Sequence, residues 1–378
     1  MQPDGFSWDT VKEGQQLRKG FTTGTCAAAA AAGATLMLFS GQKVDRVEIQ
    51  LPAGLTLELP MDGTYLGNGE AGCSVKKDAG DDPDVTDGVE VKARAVPREE
   101  PGVEITSGDG IGRVTLPGLG LEVGEPAINP TPRRMIVRET ENVLPPGKGV
   151  LVELSIPGGE ELAQKTFNPR LGIKGGLSLL GSTGLVEPMS NRAMQESLGL
   201  EIKMHAPDCG GFAVLVPGNY GKEVALGQLE LPERNVFRMS NYPGFMLDRC
   251  LENNIKRIML VGHVGKLCKV AAGIFQTHSR SADGRFEVLA AYAALFGASR
   301  ATLLKLQESV TSEEMIEILE KASLGDMFSY LAERISSRAE EYLGQEVEVG
   351  TCLFTLGRGV LTMDTSAKKM WEEWSCHA

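Results

Sequence analysis

The chain has 378 residues, 42% hydrophobic and 23% charged, which is enough for two or three globular domains. Its net charge of −12 argues against a general nucleic-acid binder, which needs a basic surface to neutralise phosphates. Seven cysteines without a CxxC pair read as reduced, buried thiols, and no basic-then-apolar signal segment opens the sequence, so the expected location is cytoplasmic.

The first dense motif is Lys19-Gly20-Phe21-Thr22-Thr23-Gly24-Thr25-Cys26, followed by Ala27 to Ala32. A hydroxyl-rich turn feeding a helix reads either as a plain N-cap or as a grip on an anion, because helix starts expose unpaired N–H groups. Cys26 at that start reads as a packed thiol or as one of lowered pKa. The apolar run to Phe39, interrupted by Gly33 and Thr35, is short for a membrane span and reads as a buried helix. Alternating stretches at 44–51, 55–59, 72–77 and 89–96 predict antiparallel strands.

Between them, Lys77-Asp78-Ala79-Gly80-Asp81-Asp82-Pro83-Asp84 packs four aspartates into seven residues. That density suits a cation, substrate N–H groups or a sulfonium, or else an Asp-rich turn bonded to its own backbone. It lacks the glycine position and closing glutamate of a calcium loop. The proline-rich run 125–134 leads into a short helix around 135–142, and Pro145-Pro146-Gly147 reads as a hinge.

After a strand at 150–156 and a glycine-dense stretch at 171–184, three strand–loop–helix units follow. Their loops are 217–221, 240–244 and 262–266. This is a doubly wound α/β pattern, whose ligands lie beyond the carboxyl ends of the strands. Helices then fill the chain from Arg285 to Leu343, before a strand at 345–356. The expected architecture is therefore an α+β domain at 1–147, a Rossmann-like α/β domain at 148–300, and a helical segment at 301–378 whose final strand packs back on the core. No internal repeat is evident.

These motifs, in this order, resemble the cobalt-precorrin-5B C1-methyltransferases of the anaerobic cobalamin pathway. The likeness rests on Thr22-Thr23-Gly24-Thr25-Cys26-Ala27, on Lys77 to Asp84, on Gly124-Glu125-Pro126-Ala127-Ile128-Asn129-Pro130 with Pro132-Arg133, and on Lys165-Thr166-Phe167-Asn168-Pro169-Arg170-Leu171-Gly172-Ile173. It continues through Gly262-His263 with Gly265-Lys266-Leu267, and Thr277-His278-Ser279 with Asp283 and Arg285. Departures are Gly33, where a larger helix former is expected, and Tyr242-Pro243.

The resemblance implies methyl transfer from S-adenosylmethionine to carbon 1 of cobalt-precorrin-5B, giving cobalt-precorrin-6A, with cobalt present only inside the substrate and no metal ligated by the protein. It also implies other enzymes of the pathway as candidate partners, and no membrane or nucleic acid. Such a transfer calls for alignment and charge placement. Carboxylates on the substrate call for arginines and lysines. Candidates for substrate binding are Thr22, Thr23, Thr25, Arg133, Lys165, Arg170, Lys266 and His278, with Arg134 and Lys174 beside them.

Candidate catalytic groups are His263, for proton removal or contact with the cobalt face, and Asp78 and Asp81. By fold analogy alone the donor is assigned to Gly218, Asn219, Asn241, Gly262 and Gly265. The macrocycle is expected in a cleft between the two halves. A non-catalytic tetrapyrrole carrier is the alternative. A nucleotide-dependent transferase lacks the GxxxxGK[ST] string.

Overall fold

A computed structural model describes residues 7–12 and 14–375. His377, given no role on sequence grounds, and Cys376 lie outside the described residues. The chain forms two compact units, which divide between Asn191 and Arg192 rather than near residue 147.

In the first unit the alanine-rich segment forms helix α1 (Thr23–Ser40), closed by Gly41 in the left-handed conformation. Ala27 to Ala32 are at most 1% exposed. Alanine on every face lets sheet and helix neighbours approach closely. By length and composition α1 alone among the described residues could cross a membrane, yet 78% of it is buried in this unit. It packs on a five-stranded sheet of β1 (Asp62–Gly67), β2 (Glu70–Lys76), β3 (Glu90–Arg98), β4 (Gly102–Ser107) and β5 (Gly149–Ser155), in the order β1-β2-β3-β5-β4. Gly33 is explained here: a Cβ would lie 2.7 Å from Met61 Sδ and 3.2 Å from Cys73 Sγ. Arg46–Gln50 and Thr56–Pro60 form a separate antiparallel pair, with Val47, Ile49, Leu57 and Leu59 turned inward.

Strand β5 is the reason the expected boundary moves. It pairs antiparallel with β3 and parallel with β4, and so lies inside the first sheet. The proline run also differs from expectation. Helix α2 (Pro130–Val143) begins within it, because proline in a first helical turn lacks only N–H groups that have no helical partner. α2 packs against α1.

The second unit is built on a sheet of β6 (Phe212–Val216), β7 (Val236–Arg238), β8 (Arg257–His263), β9 (Glu348–Thr355) and β10 (Gly359–Met363), ordered β7-β6-β8-β9-β10. The first four are parallel and β10 runs antiparallel. Phe212, Val214, Val216, Met259, Val261, Cys352 and Phe354 project to one face, where Ala367 and Met370 of α5 (Thr365–Ser375) join them. On the other face the Thr351 hydroxyl meets that of Ser336, 2.7 Å away on α4 (Met327–Tyr342). Alternate residues of a strand point to opposite faces, so helices cover both. Helix α3 (Val264–Ala271) follows β8 directly. The residues from 301 onward belong to this unit, with β9 as an interior strand.

Candidate functional site

The first unit holds a pocket of about 100 Å³ that mixes polar and apolar side chains. Three segments form it: Thr22 and Thr23 at the start of α1; Lys77, Asp84 and Thr86 on the loop after β2; and Asn168, Leu177, Ser178, Leu180 and Val186 of the glycine-rich stretch.

The threonine turn is tightly committed. Thr22 caps α1, its hydroxyl accepting from Thr25 N at 3.2 Å. Gly24 N donates to Leu180 O, and Thr22 N to Gly184 O, both at 3.1 Å. Thr23 Oγ1 donates to Ser178 O at 3.3 Å and accepts from Leu180 N at 3.1 Å. Thr25, fully buried, donates to Gly184 O at 2.6 Å. The turn thus clasps the glycine-rich stretch, and its amides at Gly24 and Thr25 are spent inside the protein. Burial pushes the Cys26 thiol up to about 12, which favours the packed-thiol reading.

The aspartate loop is likewise bonded to its surroundings. Asp78 takes both terminal nitrogens of Arg18, at 2.7 and 2.8 Å, and Gly80 N at 2.8 Å. The Arg18 guanidinium, against the opposing effect of partial burial, holds the Asp78 carboxyl below its ordinary value. Asp81 accepts from Arg18 N at 2.6 Å, Asp82 from Met189 N at 2.8 Å, and Asp87 from Ala79 N at 2.8 Å. Asp78 and Asp81 therefore frame the loop; neither lines the pocket.

Lys77 and Asp84 do line it. Lys77 Nζ lies 2.6 Å from Asp84 Oδ2, and the lysine side chain is 2% exposed. Asp84 Oδ1 accepts from Thr86 N at 2.7 Å and Thr86 Oγ1 at 2.6 Å. Burial works to raise the Asp84 pKa, but the bonds from Lys77 and Thr86 outweigh it and leave it lowered. Asn168 joins the third segment together, donating to Gly176 O and accepting from Ser178 Oγ, each at 3.3 Å. Lys165 and Arg170 flank Asn168 in sequence, and Arg133 follows Pro132, whose ring closes on Gly24. Among the described residues, no group of three or more His, Cys, Asp and Glu is placed to hold a metal ion.

In the second unit, parallel pairing brings the three glycine loops to one sheet edge. Gly221, in the loop after β6, packs against Val216 and against Val261 O near the carboxyl end of β8. Asn219 Oδ1 accepts from Arg238 at 2.9 Å, and Asn241 O from Thr277 N at 2.9 Å. The glycines differ in what they permit. A Cβ on Gly262 would lie 2.6 Å from Leu267, and one on Gly265 only 1.9 Å from Ser312 Oγ, so packing demands both. Gly218 has nothing within 4 Å of that position and stands open.

His263 caps α3. Its Nδ1 accepts from Gly265 N at 3.1 Å, and its Nε2 lies 2.6 Å from Glu313 Oε1. With Nδ1 accepting, the proton sits on Nε2 and is donated to Glu313, so both ring nitrogens are engaged. Burial raises the Glu313 pKa less than His263 and the Leu356 amide lower it. Lys266 is half-buried on α3; burial and then the Lys269 ammonium hold its pKa below the ordinary value. His278 Nδ1 accepts from Arg280 N at 3.2 Å, while Asp283 pairs with Arg285 instead.

The predicted residues thus fall into two groups. Thr22 and Thr23 line the first-unit pocket, with Thr25 behind them. His263, Gly218, Asn219, Gly262 and Gly265 gather at the second sheet's edge, with Asn241 on the loop after β7. Sequence reasoning did not nominate Lys77 or Asn168 as binding residues, although both stand inside its motifs. The signal available for Lys77 was its place between a buried strand and an acid-rich loop.

An α+β unit whose pocket holds a buried ion pair, and an α/β unit whose glycine loops meet at the carboxyl edge of its parallel strands, define a two-unit protein of mixed α and β structure. Residues 10–188 match the CbiD family model, and residues 276–365 match that of the CbiD C-terminal domain. A cobalt-precorrin-5B C(1)-methyltransferase of Alkaliphilus metalliredigens is 44% identical over 96% of both chains. One from a Thermoanaerobacter species is 46% identical over 93% of this chain and 96% of that protein. A crystal structure of the cobalamin biosynthesis protein cbiD from Archaeoglobus fulgidus matches 74% of this chain and 88% of its own at 28% identity, with a TM-score of 0.38. The chain belongs to the CbiD family.

Proposed function

We propose that this chain transfers the methyl group of S-adenosylmethionine to carbon 1 of cobalt-precorrin-5B, giving cobalt-precorrin-6A, in the cytoplasm. Methyltransferase activity in cobalamin biosynthesis rests on one observation: relatives of that name are 44–46% identical over nearly their whole length. Their naming as transferases favours an enzyme over a carrier. Cobalt is part of the substrate. The donor supplies an electrophilic methyl on sulfur, and carbon 1 of the macrocycle attacks it in line, releasing S-adenosylhomocysteine. The protein's part is alignment and charge placement.

The substrate reading centres on the first-unit pocket with Thr22 and Thr23, and on Arg133, Lys165 and Arg170 around its segments. In the second unit, Lys266 and His278 are the candidates for substrate carboxylates. The donor reading centres on Gly218, Asn219, Asn241, Gly262 and Gly265. Support comes from the second sheet, read here as doubly wound: its chain order reverses between β6 and β8, where such sheets bind ligands. His263 is assigned a positioning part there, through its cap on α3 and its bond to Glu313. Asp78 and Asp81 are assigned the framing of the loop that presents Lys77.

Calorimetric titration with S-adenosylhomocysteine tests the donor reading. Saturable binding that weakens in Asn219→Ala and Asn241→Ala supports it. A chain that binds the macrocycle but never the donor product is a carrier, and overturns it.

A further inference from the structure

Lys77 is the most informative group that the established family membership leaves without a role. Its side chain is 2% exposed, its ammonium has Asp84 as partner, and it lines the pocket beside Thr22, Thr23 and Asn168. An ammonium has three donors, and the ion pair uses one. Placing a cation so deep is costly unless its other protons find acceptors. The hydroxyls of the wall are already spoken for: Thr23 is bonded to Ser178 and Leu180, Thr86 to Asp84, and Ser178 to Asn168. Lys77 carries two unspent donors in this cavity, and the second Nδ2 hydrogen of Asn168 stands beside them.

The volume narrows the ligand further. About 100 Å³ lies well below the ~300–1,000 Å³ of pockets that enclose a whole drug-sized ligand, but leaves room for a few heavy atoms. We propose that the pocket seats a single carboxylate, carried on a short arm, against the Lys77 ammonium, with Asp84 and Thr86 holding that ammonium in place. This rests on the methyl-transfer reading, which brings carboxylates from two sources: a peripheral acid arm of the macrocycle, or the methionine end of the donor.

The test is a pair of calorimetric titrations, with cobalt-precorrin-5B and with S-adenosylhomocysteine, of the wild type and of the double variant K77M/D84N. The double variant removes both charges and leaves neither partner alone. One ligand should lose affinity by about 10- to 100-fold, the range for a hydrogen bond to a charged group, while the other is unchanged. The ligand affected is the source of the carboxylate.

Wild-type affinity for both ligands, or an equal loss for both, overturns the seat. Val186→Phe, which adds bulk to the pocket wall and leaves both charges in place, repeats the test should K77M/D84N not fold. It should weaken the same single ligand, and unchanged affinity for both overturns the seat. Methyl transfer by the wild type, measured in parallel, keeps the two readings apart: transfer intact with no selective loss in either variant sinks the seat alone. A wild type that binds neither ligand overturns both.

Discussion

Lys77 and Asp84 meet at 2.6 Å, ammonium to carboxylate, with their side chains 2% and 26% exposed. Removing one member of such a pair leaves the other charged and poorly solvated. Lys77→Ala should therefore destabilise the first unit by about 3 kcal/mol, the lower end for a broken buried pair because Asp84 keeps its bonds to Thr86. K77M/D84N should cost much less. Urea denaturation of the single and double variants checks this, and equal losses in both would contradict it.

Acid should act through the same loop. The Asp84 and Asp78 carboxyls both titrate below their ordinary value of 3.8 in the folded chain. The unfolded state then binds more protons in that range, so stability rises with pH. Their contribution is complete above the unfolded value and is lost as pH falls below it, through the lower folded values. Urea midpoints measured from pH 6 down to about 2.5 should decline steeply below about 4. Asp84→Asn should flatten that decline, and an unchanged slope would count against the ion pair.

Gly20 lies against the aspartate loop with no room to spare. A Cβ there would sit 2.2 Å from the Ala79 carbonyl carbon and 2.4 Å from Asp78 O, both backbone atoms. Gly20→Ala should cost about 1–3 kcal/mol through overpacking. Gly67→Ala, at the end of β1 with nothing within 4 Å, should be neutral or slightly stabilising. Melting temperatures of the two variants provide the comparison; similar shifts would show that the close approach does not matter.

His263 separates a positioning role from a proton-accepting one. Asparagine caps helices well and alanine does not, a difference of about 1 kcal/mol. His263→Asn should retain binding of S-adenosylhomocysteine and most of the turnover, whereas His263→Ala weakens both. If both folded variants lose turnover alike, together with the acid limb of the pH–rate profile, the imidazole itself takes a proton.

Much of this was readable in the chain. The alanine helix, the antiparallel strands at 72–77 and 89–96, and the three strand–loop–helix units follow from period, breakers and turn chemistry. What escaped depends on partners distant in sequence. The alternation of Val150 to Leu154 marks a strand but not its neighbours, and only pairing with Gly102–Ser107 and Glu90–Arg98 places it in the first sheet. That packing against Leu267 and Ser312 itself demands glycine at 262 and 265 is likewise invisible until those side chains are seen against them.

The donors that hold the aspartate run are out of view in the sequence. Arg18 comes from 60 residues upstream of Asp78, and Met189 from 107 residues beyond Asp82. A single sequence shows that Lys77 precedes four aspartates; it does not show that the ammonium is buried.

One measurement bears most directly on the activity. Enzyme, cobalt-precorrin-5B and S-adenosylmethionine carrying a carbon-13 methyl are mixed under anaerobic conditions, and the macrocycle is examined by carbon-13 NMR. The account predicts a single labelled methyl, bonded to carbon 1. A macrocycle that is bound and recovered unlabelled, or labelled at another carbon, would contradict it.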